Sequence, residues 1–379
     1  MILYAAPESL PETRVPLLPQ TVTRLTRLGF EVRVPRGLGS SLYLSDSAFE
    51  EAGARLVEAS AEQLAAADVV VRLNPPSLEE AGALREGSLL VSFLDPFRNP
   101  QLVDRLRHSG VNTVCMELIP RSTYAQKMDA LSSQASLAGY AAVLTAAERI
   151  DKALPMMSTP AGTISPARVF VIGVGVAGLQ AIATAKRLGA RVEAYDTRPV
   201  VEEQVQSLGA KFVKIDVGET GQTEQGYAKE LTEEQLEMQR QQMARFCANS
   251  DIVITTAQVF GRPAPRIVTA EMVAGMRPGS VIVDLAASTG GNVEGTVPGE
   301  EVVLEGVRIV GLNNFPGLVA RDASQMYSSN VANLLEHAFD AESKRLNLDP
   351  GDQVMSSALL TAAGEIRNER IRELVEAGK

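Results

Sequence analysis

The sequence predicts an α/β protein with two doubly wound parallel-sheet domains, the second inserted in the first. Short apolar runs alternate with helical patterns in two blocks, and a long helical stretch rich in small residues separates the blocks. Strand–helix alternation of this kind is typical of a parallel sheet with helices on both faces. The chain has 379 residues, more than one compact core usually holds, which favours two domains.

The first block supplies one sheet and the helices that cover it. Strands are predicted at residues 2–5, 31–34, 68–73, 88–94 and 111–116. Helices are predicted at residues 20–28, 100–108 and, between the blocks, 128–153. We expect residues 1–127 with 325–379 to form a discontinuous flavodoxin- or Rossmann-like domain, and residues 128–324 to form the second domain with its linking helices.

The second block resembles a complete Rossmann domain. Its strands are predicted at residues 168–172, 191–195, 211–214, 251–255, 280–284 and 307–310. Six strands with intervening helices fit that fold. Residues 323–339 predict a helix that returns to the first domain, and residues 359–366 predict a closing strand or turn. Clefts between domains are common ligand sites, so we expect the site there.

A glycine motif, GVGVAG, opens the second block between its first strand and first helix. Gly173 permits a tight turn, Gly175 lets a pyrophosphate approach the backbone, and Gly178 lets the helix pack on the strand. The N–H groups of Val176 and Ala177 then face phosphate oxygens at a helix N-terminus. The motif therefore predicts a dinucleotide site; the alternative is a tight turn that binds nothing.

Asp196 ends the second strand of this block, about 20 residues beyond the glycine motif, where an acid contacts the adenosine ribose in such sites. A carboxylate there accepts hydrogen bonds from ribose hydroxyls and repels a 2′-phosphate. Arg198 is a residue type that serves a 2′-phosphate, but the strand-end position of Asp196 favours NAD(H) over NADP(H).

The polar stretch RSTYAQKMDA, residues 121–130, lies between a predicted strand and the long helix. Ligands bind doubly wound sheets at the carboxyl ends of the strands. Arg121, Gln126 and Asp129 offer a guanidinium, an amide and a carboxylate that could hold the nicotinamide half of a nucleotide. The alternative, equally open from spacing alone, is a helix cap with an exposed Arg121–Asp129 ion pair.

A charged, glycine-punctuated insert occupies residues 216–242 of the second block. Gly226 and Tyr227 could form the tip of a lid over a nucleotide. The alternative is a solvated loop followed by a surface helix, which the pattern predicts from residue 232 onward.

Composition excludes several function classes. The formal net charge is −10, and no basic stripe offsets it, which argues against a nucleic-acid partner and against docking on anionic lipid. We expect no signal peptide, no membrane span and no metal site, and two buried thiols, Cys115 and Cys247, in a reducing cytoplasm. The two histidines, His108 and His337, are expected at the surface or in packing.

The sequence offers no convincing proton acceptor for oxidation of a hydroxyl or an amine. A reaction between two nicotinamides needs none, because hydride passes directly from ring carbon to ring carbon. Such a site needs only close positioning and exclusion of water.

These motifs together resemble the alanine dehydrogenase/transhydrogenase family, and most closely its soluble NAD(H)-binding transhydrogenase alpha subunits. The resemblance spans nearly the whole chain. It rests on the stretches 121–140, 173–199, 225–230, 251–265 and 278–292.

The resemblance implies a homodimer that binds NAD(H) and passes hydride to NADP+ on a separate NADP(H)-binding beta subunit, coupled to proton translocation. It also implies a small separate membrane alpha subunit. The chain would then be cytoplasmic and held at the cytoplasmic face of the inner membrane by its partners, without inserting directly.

The resemblance also implies roles for individual residues. Positioning of the reacting nicotinamide falls to Arg121, Gln126, Asp129 and Tyr227. The nucleotide contacts, with the glycine-motif residues included, are Ser122, Thr123, Ser132, Gly173, Gly175, Val176, Ala177, Gly178, Asp196, Thr197, Arg198, Gly226, Gln239 and Gln258.

Two other functions stay open at this point. Alanine dehydrogenases resemble this chain but carry a lysine and a histidine where Arg72 and Asp95 stand here, although Arg14 leaves a residual carboxylate pocket open. The other alternative is a module that senses NAD without catalysis.

Overall fold

In a computed structural model, which describes residues 1–215 and 232–378, the chain folds into repeated β–α units. The β-strands in chain order are β1 (Ile2–Ala5), β2 (Glu31–Pro35), β3 (Arg55–Val57), β4 (Val69–Val71), β5 (Leu89–Ser92), β6 (Asn112–Cys115), β7 (Met157–Thr159), β8 (Gly162–Ile164), β9 (Arg168–Ile172), β10 (Arg191–Tyr195), β11 (Lys211–Phe212), β12 (Ile252–Thr255), β13 (Val281–Asp284), β14 (Glu301–Leu304), β15 (Val307–Val310), β16 (Phe339–Asp340), β17 (Arg345–Leu346), β18 (Leu359–Ala362) and β19 (Glu365–Ile366).

The α-helices alternate with these strands. In chain order they are α1 (Pro19–Arg27), α2 (Asp46–Glu51), α3 (Ala61–Ala66), α4 (Leu78–Ala83), α5 (Pro100–His108), α6 (Ala130–Arg149), α7 (Val176–Arg187), α8 (Glu202–Ser207), α9 (Glu233–Ala248), α10 (Ala270–Ala274), α11 (Ala320–Ala338), α12 (Met355–Ala358) and α13 (Glu369–Ala377). In the described part of the chain, every helix falls short of the length and apolar character that a membrane span needs.

The first compact unit comprises Met1–Gln134 and Val319–Lys379. Its sheet has the strand order β19-β18-β6-β5-β4-β1-β2-β3. Strands β1 to β6 are parallel, whereas β18 and β19 extend the sheet antiparallel beside β6. Strands β4 and β5 are buried along their whole length, as expected of parallel strands covered on both faces.

The second compact unit comprises Ala135–Leu318. Its sheet has the order β11-β10-β9-β12-β13-β15-β14. Counting from β9, the first six strands follow the Rossmann order 3-2-1-4-5-6, so the strand before the glycine motif is central. Strand β14 joins the edge antiparallel to β15.

The predicted fold class is confirmed, but the sheets are mixed at their edges. Two antiparallel hairpins account for the difference: β14–β15 turns at Glu305–Gly306, and β18–β19 turns at Ala363–Gly364. All four turn residues have positive φ, with values of 49° and 78° in the first turn and 52° and 78° in the second. A two-residue turn of this kind closes a hairpin, which is why residues 359–366 form two strands.

Four predicted helices have different bounds in the structure, and two of them, α6 and α9, differ by more than three residues at one end. Helix α6 starts and ends within the predicted 128–153 stretch, and α9 continues past residue 242 to Ala248. Thr232 begins α9 with a capping box, in which its hydroxyl accepts from the N–H of Gln235 and the Gln235 amide oxygen accepts from the N–H of Thr232. The predicted lid residues Gly226 and Tyr227 lie outside the described residues.

Candidate functional site

The glycine motif forms the turn from β9 into α7 in the second unit. Gly173 has a φ of 93°, in the left-handed region that favours glycine. A Cβ on Gly178 would lie 2.0 Å from the carbonyl oxygen of Gly173, so the helix packs on the turn only because Gly178 lacks a side chain. The Thr256 hydroxyl donates to that same carbonyl at 3.0 Å and holds the turn from the end of β12.

Gly175 differs from the other two glycines because its missing side chain leaves open space. A Cβ built there meets no atom within 4 Å among the described residues, and Val176 next to it is exposed. Gly175 is the N-cap of α7 and has no side chain with which to cap the helix. The first N–H groups of a helix lack intrahelical partners and carry partial positive charge, so Val176 and Ala177 can donate to an anion there. This geometry fits a nucleotide pyrophosphate.

Asp196 follows β10 and is held by internal hydrogen bonds. Its carboxylate accepts from the N–H of Val174 at 2.7 Å and from the N–H of Arg198 at 2.8 Å. The Arg198 guanidinium also donates to both carboxylate oxygens, at 2.9 Å each. These bonds raise the pKa of Arg198. The two residues that point to opposite nucleotide preferences therefore form one ion pair, and Thr197 lies half-buried between them.

The two predicted glutamines of the second unit have different environments. Gln239 is buried on α9, where its amide donates to the Tyr195 hydroxyl at 2.9 Å. Gln258 is exposed, and its amide donates to the carbonyl of Leu285 at 3.0 Å. Gln239 thus stabilises the end of β10, just before Asp196, from within the core.

Sequence reasoning missed a buried carboxylate that organises the same edge of the sheet. Asp284, at the end of β13, accepts hydrogen bonds from the Thr255 hydroxyl at 3.0 Å and from the Asn292 N–H at 2.8 Å. The Asn292 side chain in turn binds both the N–H and the carbonyl of Ala257. The signal that could have found these residues is a polar side chain placed directly at the end of an apolar strand.

The segment 121–132 of the first unit follows β6 and leads into α6. Arg121, Ser122, Thr123 and Gln126 are exposed, whereas Asp129 is buried. Both Asp129 carboxylate oxygens bind Ser132, one accepting from its N–H at 2.9 Å and the other from its hydroxyl at 2.5 Å. Asp129 therefore caps α6 from a buried position, whereas the capping interpretation expected it in an exposed ion pair, and Gln126 three residues before it is exposed.

Arg14 lies at the carboxyl edge of the first sheet, and its charge is fully engaged. Its guanidinium binds the Glu12 carboxylate in a bidentate pair, at 2.9 and 2.7 Å, and donates to the Gln134 amide oxygen at 2.8 Å. Burial alone would raise the pKa of Glu12, but the hydrogen bonds and charge of Arg14 outweigh it and lower that pKa to about 2. The guanidinium of Arg14 could have bound the carboxylate of a substrate, but the chain's own Glu12 carboxylate occupies that position.

Arg72 and Asp95 each lie beside an oppositely charged side chain in the first unit. Arg72 is buried, with its guanidinium 3.0 Å from the Glu80 carboxylate and 4.0 Å from that of Glu8. Asp95 has a φ of 43°, its N–H donates to Glu117 at 2.7 Å, and its carboxylate pairs with Arg98. Burial raises the pKa of Glu117. Neither position presents a free base to a small substrate.

His108 and Cys247 stand away from the candidate residues. His108 is exposed at the end of α5, beside Asp104, as predicted. Cys115 and Cys247 are buried thiols, and burial raises the pKa of both. Across residues 1–215 and 232–378, no group of three or more histidine, cysteine or acidic side chains is arranged to hold a metal ion.

The fold and the glycine turn define the class of protein: an α/β protein with a Rossmann sheet and a glycine turn directly after the central strand of that sheet. The chain belongs to the alanine dehydrogenase/PNT family. The family's N-terminal domain matches residues 6–138, and its C-terminal domain matches residues 142–369.

Within this family the chain is similar to transhydrogenase alpha subunits, which confirms the resemblance seen in the motifs. It is 45% identical over 362 residues to the first polypeptide of the NAD(P) transhydrogenase alpha subunit of Rhodospirillum rubrum, covering 94% of each chain. A crystal structure of transhydrogenase from Sinorhizobium meliloti has a TM-score of 0.84 at 42% identity, covering 98% of this chain and 100% of that one. Alanine dehydrogenase of Mycobacterium tuberculosis is 30% identical over 292 residues, covering 76% of this chain and 72% of that one.

Proposed function

We propose that this chain is the NAD(H)-binding subunit of a proton-translocating NAD(P) transhydrogenase. The observation that carries the proposal is the open space at Gly175 beside the exposed Val176, where a dinucleotide pyrophosphate can approach the first N–H groups of α7. The identity of the second substrate is supported by the relatives, which are named as NAD(P) transhydrogenase subunits.

Each group of candidate residues has a task in this proposal. The N–H groups of Val176 and Ala177 bind the pyrophosphate, next to the side-chain-free Gly173, Gly175 and Gly178. Binding of the adenosine ribose falls to Asp196, Thr197 and Arg198. The nicotinamide half is held by Arg121, Ser122, Thr123, Gln126, Asp129 and Ser132. Closure over the nucleotide falls to Gly226 and Tyr227, while Gln239 and Gln258 lie around the site, with Gln239 acting from the core through Tyr195.

The chemistry that this site serves needs geometry rather than proton transfer. Bound NADH supplies a hydride that reduces NADP+ on the partner to NADPH and leaves NAD+. The protein's contribution is to fix the ring and exclude water, since the reacting carbons have to approach to about 3–3.5 Å. The pairing of Arg14 with Glu12 and of the Asp95 carboxylate with Arg98 supports this function over oxidation of a small amino acid.

The proposed assembly is the one that the family resemblance of the motifs implies, and the relatives' names support the presence of other subunits. We place the chain in a homodimer that works with an NADP(H)-binding beta subunit and a small membrane alpha subunit, without nucleic acid. Those partners would hold it at the cytoplasmic face of the inner membrane, and the chain itself would not insert.

The experiment that tests the proposal mixes the purified chain with an NADP(H)-binding beta subunit and follows hydride transfer from NADH in a single turnover. We expect transfer in the mixture and none from either protein alone. Robust NADH production from L-alanine and NAD+ would instead establish an alanine dehydrogenase. NADH binding without transfer to any such partner would establish a sensor.

Gln126→Asn tests the positioning role within this proposal. The shorter side chain retains the amide but withdraws it from the nicotinamide, so we expect hydride transfer to slow about ten-fold while the Kd for NADH changes less than about two-fold. Equal losses in transfer and binding would contradict a positioning role.

A further inference from the structure

Helix α11 presents three polar side chains to the segment that contains Gln126. Asn330, Asn333 and His337 are spaced three and four residues apart, which places them on one face of the helix. All three belong to the first unit, as does the segment 121–129.

Two of these side chains bind the same backbone carbonyl. Asn330 and Asn333 each donate an amide N–H to the carbonyl oxygen of Lys127, at 3.0 and 2.8 Å. The amide oxygens fix the orientation of both side chains, because the Asn330 oxygen accepts a hydrogen bond from Ser133 and the Asn333 oxygen accepts one from Arg24. A carbonyl held by two oriented donors has little freedom to move, and it belongs to the residue directly after Gln126.

The third side chain contacts the other side of Gln126. His337 Nδ1 lies 3.3 Å from the hydroxyl of Tyr124, and the two rings pack edge to face with centroids 5.5 Å apart. His337 Nε2 lies 3.0 Å from Asp352, whose carboxylate also accepts from the N–H groups of Val354 and Met355. Asp352 thus fixes the imidazole from behind, and the imidazole faces Tyr124.

We propose that Asn330, Asn333 and His337 are positioning residues for Gln126. They hold the chain at Tyr124 and Lys127, on either side of Gln126, whose amide is exposed and makes the proposed contact with the nicotinamide half. A reacting group has to be held within about 0.5 Å of its productive place, which loops achieve only with such support. This inference rests on the proposed function of Gln126.

Two variants remove these contacts with little change in shape. Tyr124→Phe deletes only the hydroxyl that faces His337, and Asn333→Asp replaces the amide donor with an acceptor that repels the Lys127 carbonyl. We expect each to slow hydride transfer about five-fold while the Kd for NADH changes less than about two-fold. Tyr43→Phe, at an exposed tyrosine, and Asn249→Asp, which removes an amide bond to the Arg245 carbonyl in the other unit, are matched controls.

A double-mutant cycle shows whether the effect passes through Gln126. In a Gln126→Ala background, Tyr124→Phe and Asn333→Asp should lose most of their effect on transfer, because the group they position is gone. Losses that persist unchanged in that background would overturn the proposal, as would equal losses in the matched controls.

Amide hydrogen exchange in residues 121–129 decides the inference separately from the proposed function. We expect exchange in this segment to rise about ten-fold in Tyr124→Phe and Asn333→Asp, and to stay unchanged in Tyr43→Phe and Asn249→Asp. Unchanged exchange in both test variants would overturn the inference even if the wild type transfers hydride. A wild type that transfers no hydride but shows the expected exchange would refute only the proposed function.

Discussion

The two sheets of this protein share an architecture but differ at the edge where parallel strands end. In the second unit that edge has bare backbone at Gly175, where a Cβ would meet no atom of the described residues within 4 Å. In the first unit it is filled by ionic side chains, among them the bidentate pair of Glu12 and Arg14. Doubly wound sheets bind ligands at this edge, so the comparison teaches that side-chain content, rather than topology, decides which edge can accept one.

The largest expected effect is a loss of unfolding free energy at the filled edge of the first sheet. Glu12→Gln leaves the buried Arg14 guanidinium without its carboxylate, and breaking such a pair from one side typically costs about 3–5 kcal/mol of unfolding free energy. Urea unfolding measures it. Glu31→Gln, which breaks an exposed pair with Arg33, is the control and should cost less than about 1 kcal/mol. Similar losses in the two variants would contradict a buried, structural pair at this edge.

The pH dependence of that pair has a definite sign. The pKa of Glu12 is about 2 in the folded protein, below the value of about 4.3 for an unfolded glutamate. Its contribution is therefore fully present above the unfolded value and is lost as pH falls toward 2. Burial raises the pKa of the neighbouring Glu8, whose contribution has the opposite sign. The measurement is thus the difference in unfolding free energy between wild type and Glu12→Gln, which should shrink below about pH 4.

The next effect tests the open edge. In Gly175→Ala the new Cβ meets no described atom, so the fold should be retained, but it would occupy the space in which a pyrophosphate approaches the backbone. We expect the Kd for NADH to rise at least about ten-fold while Tm changes little. NADH fluorescence reports binding cleanly because the chain contains no tryptophan. Gly178→Ala should instead lose stability, since its Cβ would lie 2.0 Å from a carbonyl oxygen.

A smaller effect concerns nucleotide choice at the open edge. Asp196→Ala removes a proposed ribose acceptor and releases Arg198 from its ion pair. We expect the Kd for NADH to rise about five-fold and the preference for NADH over NADPH to narrow, because a free guanidinium attracts a 2′-phosphate. The double variant Asp196→Ala/Arg198→Ala should lose the relative gain in affinity for NADPH that the single variant shows. Unchanged preference in the single variant would count against the ribose role.

The smallest expected effect is on the unfolding free energy and concerns the first unit, at the point where α6 begins. Asp129→Ala removes the cap that binds Ser132, which should cost about 1 kcal/mol of unfolding free energy. Asp129→Asn retains an acceptor oxygen and should lose less than half of that. Equal losses in the two variants would show that Asp129 acts through its charge, as the ion-pair interpretation with Arg121 requires.

The fold was largely predictable because its signals are local. The apolar runs that became β1, β9, β10 and β15 have the predicted bounds, and α5 does as well. The hairpins β14–β15 and β18–β19 were not predicted in full, because their short strands are recognised only through the turns Glu305–Gly306 and Ala363–Gly364. The predicted strand at 211–214 is shorter in the structure, with Lys211–Phe212 alone in the sheet.

The candidate site was predictable in its residue types but not in their partners. The glycine motif dictated a strand-turn-helix because each glycine has a steric reason that shows in the sequence spacing. That Asp196 pairs with Arg198, or that Asp284 ties the loops after β12 and β13 together through Asn292, depends on how the folded chain orients these side chains. Spacing along the chain carries no such information.

By itself the amino-acid sequence determined the two doubly wound sheets, the glycine turn and the family. Hydrophobic periodicity and a dense local motif are visible in the sequence even when no contact between residues is known. Only the tertiary structure decided that Gln134 contacts the buried Arg14 and that α11 holds both sides of Gln126. The physical reason is that hydrogen bonds and ion pairs depend on distances of about 3 Å between atoms, and such distances between remote residues exist only after folding.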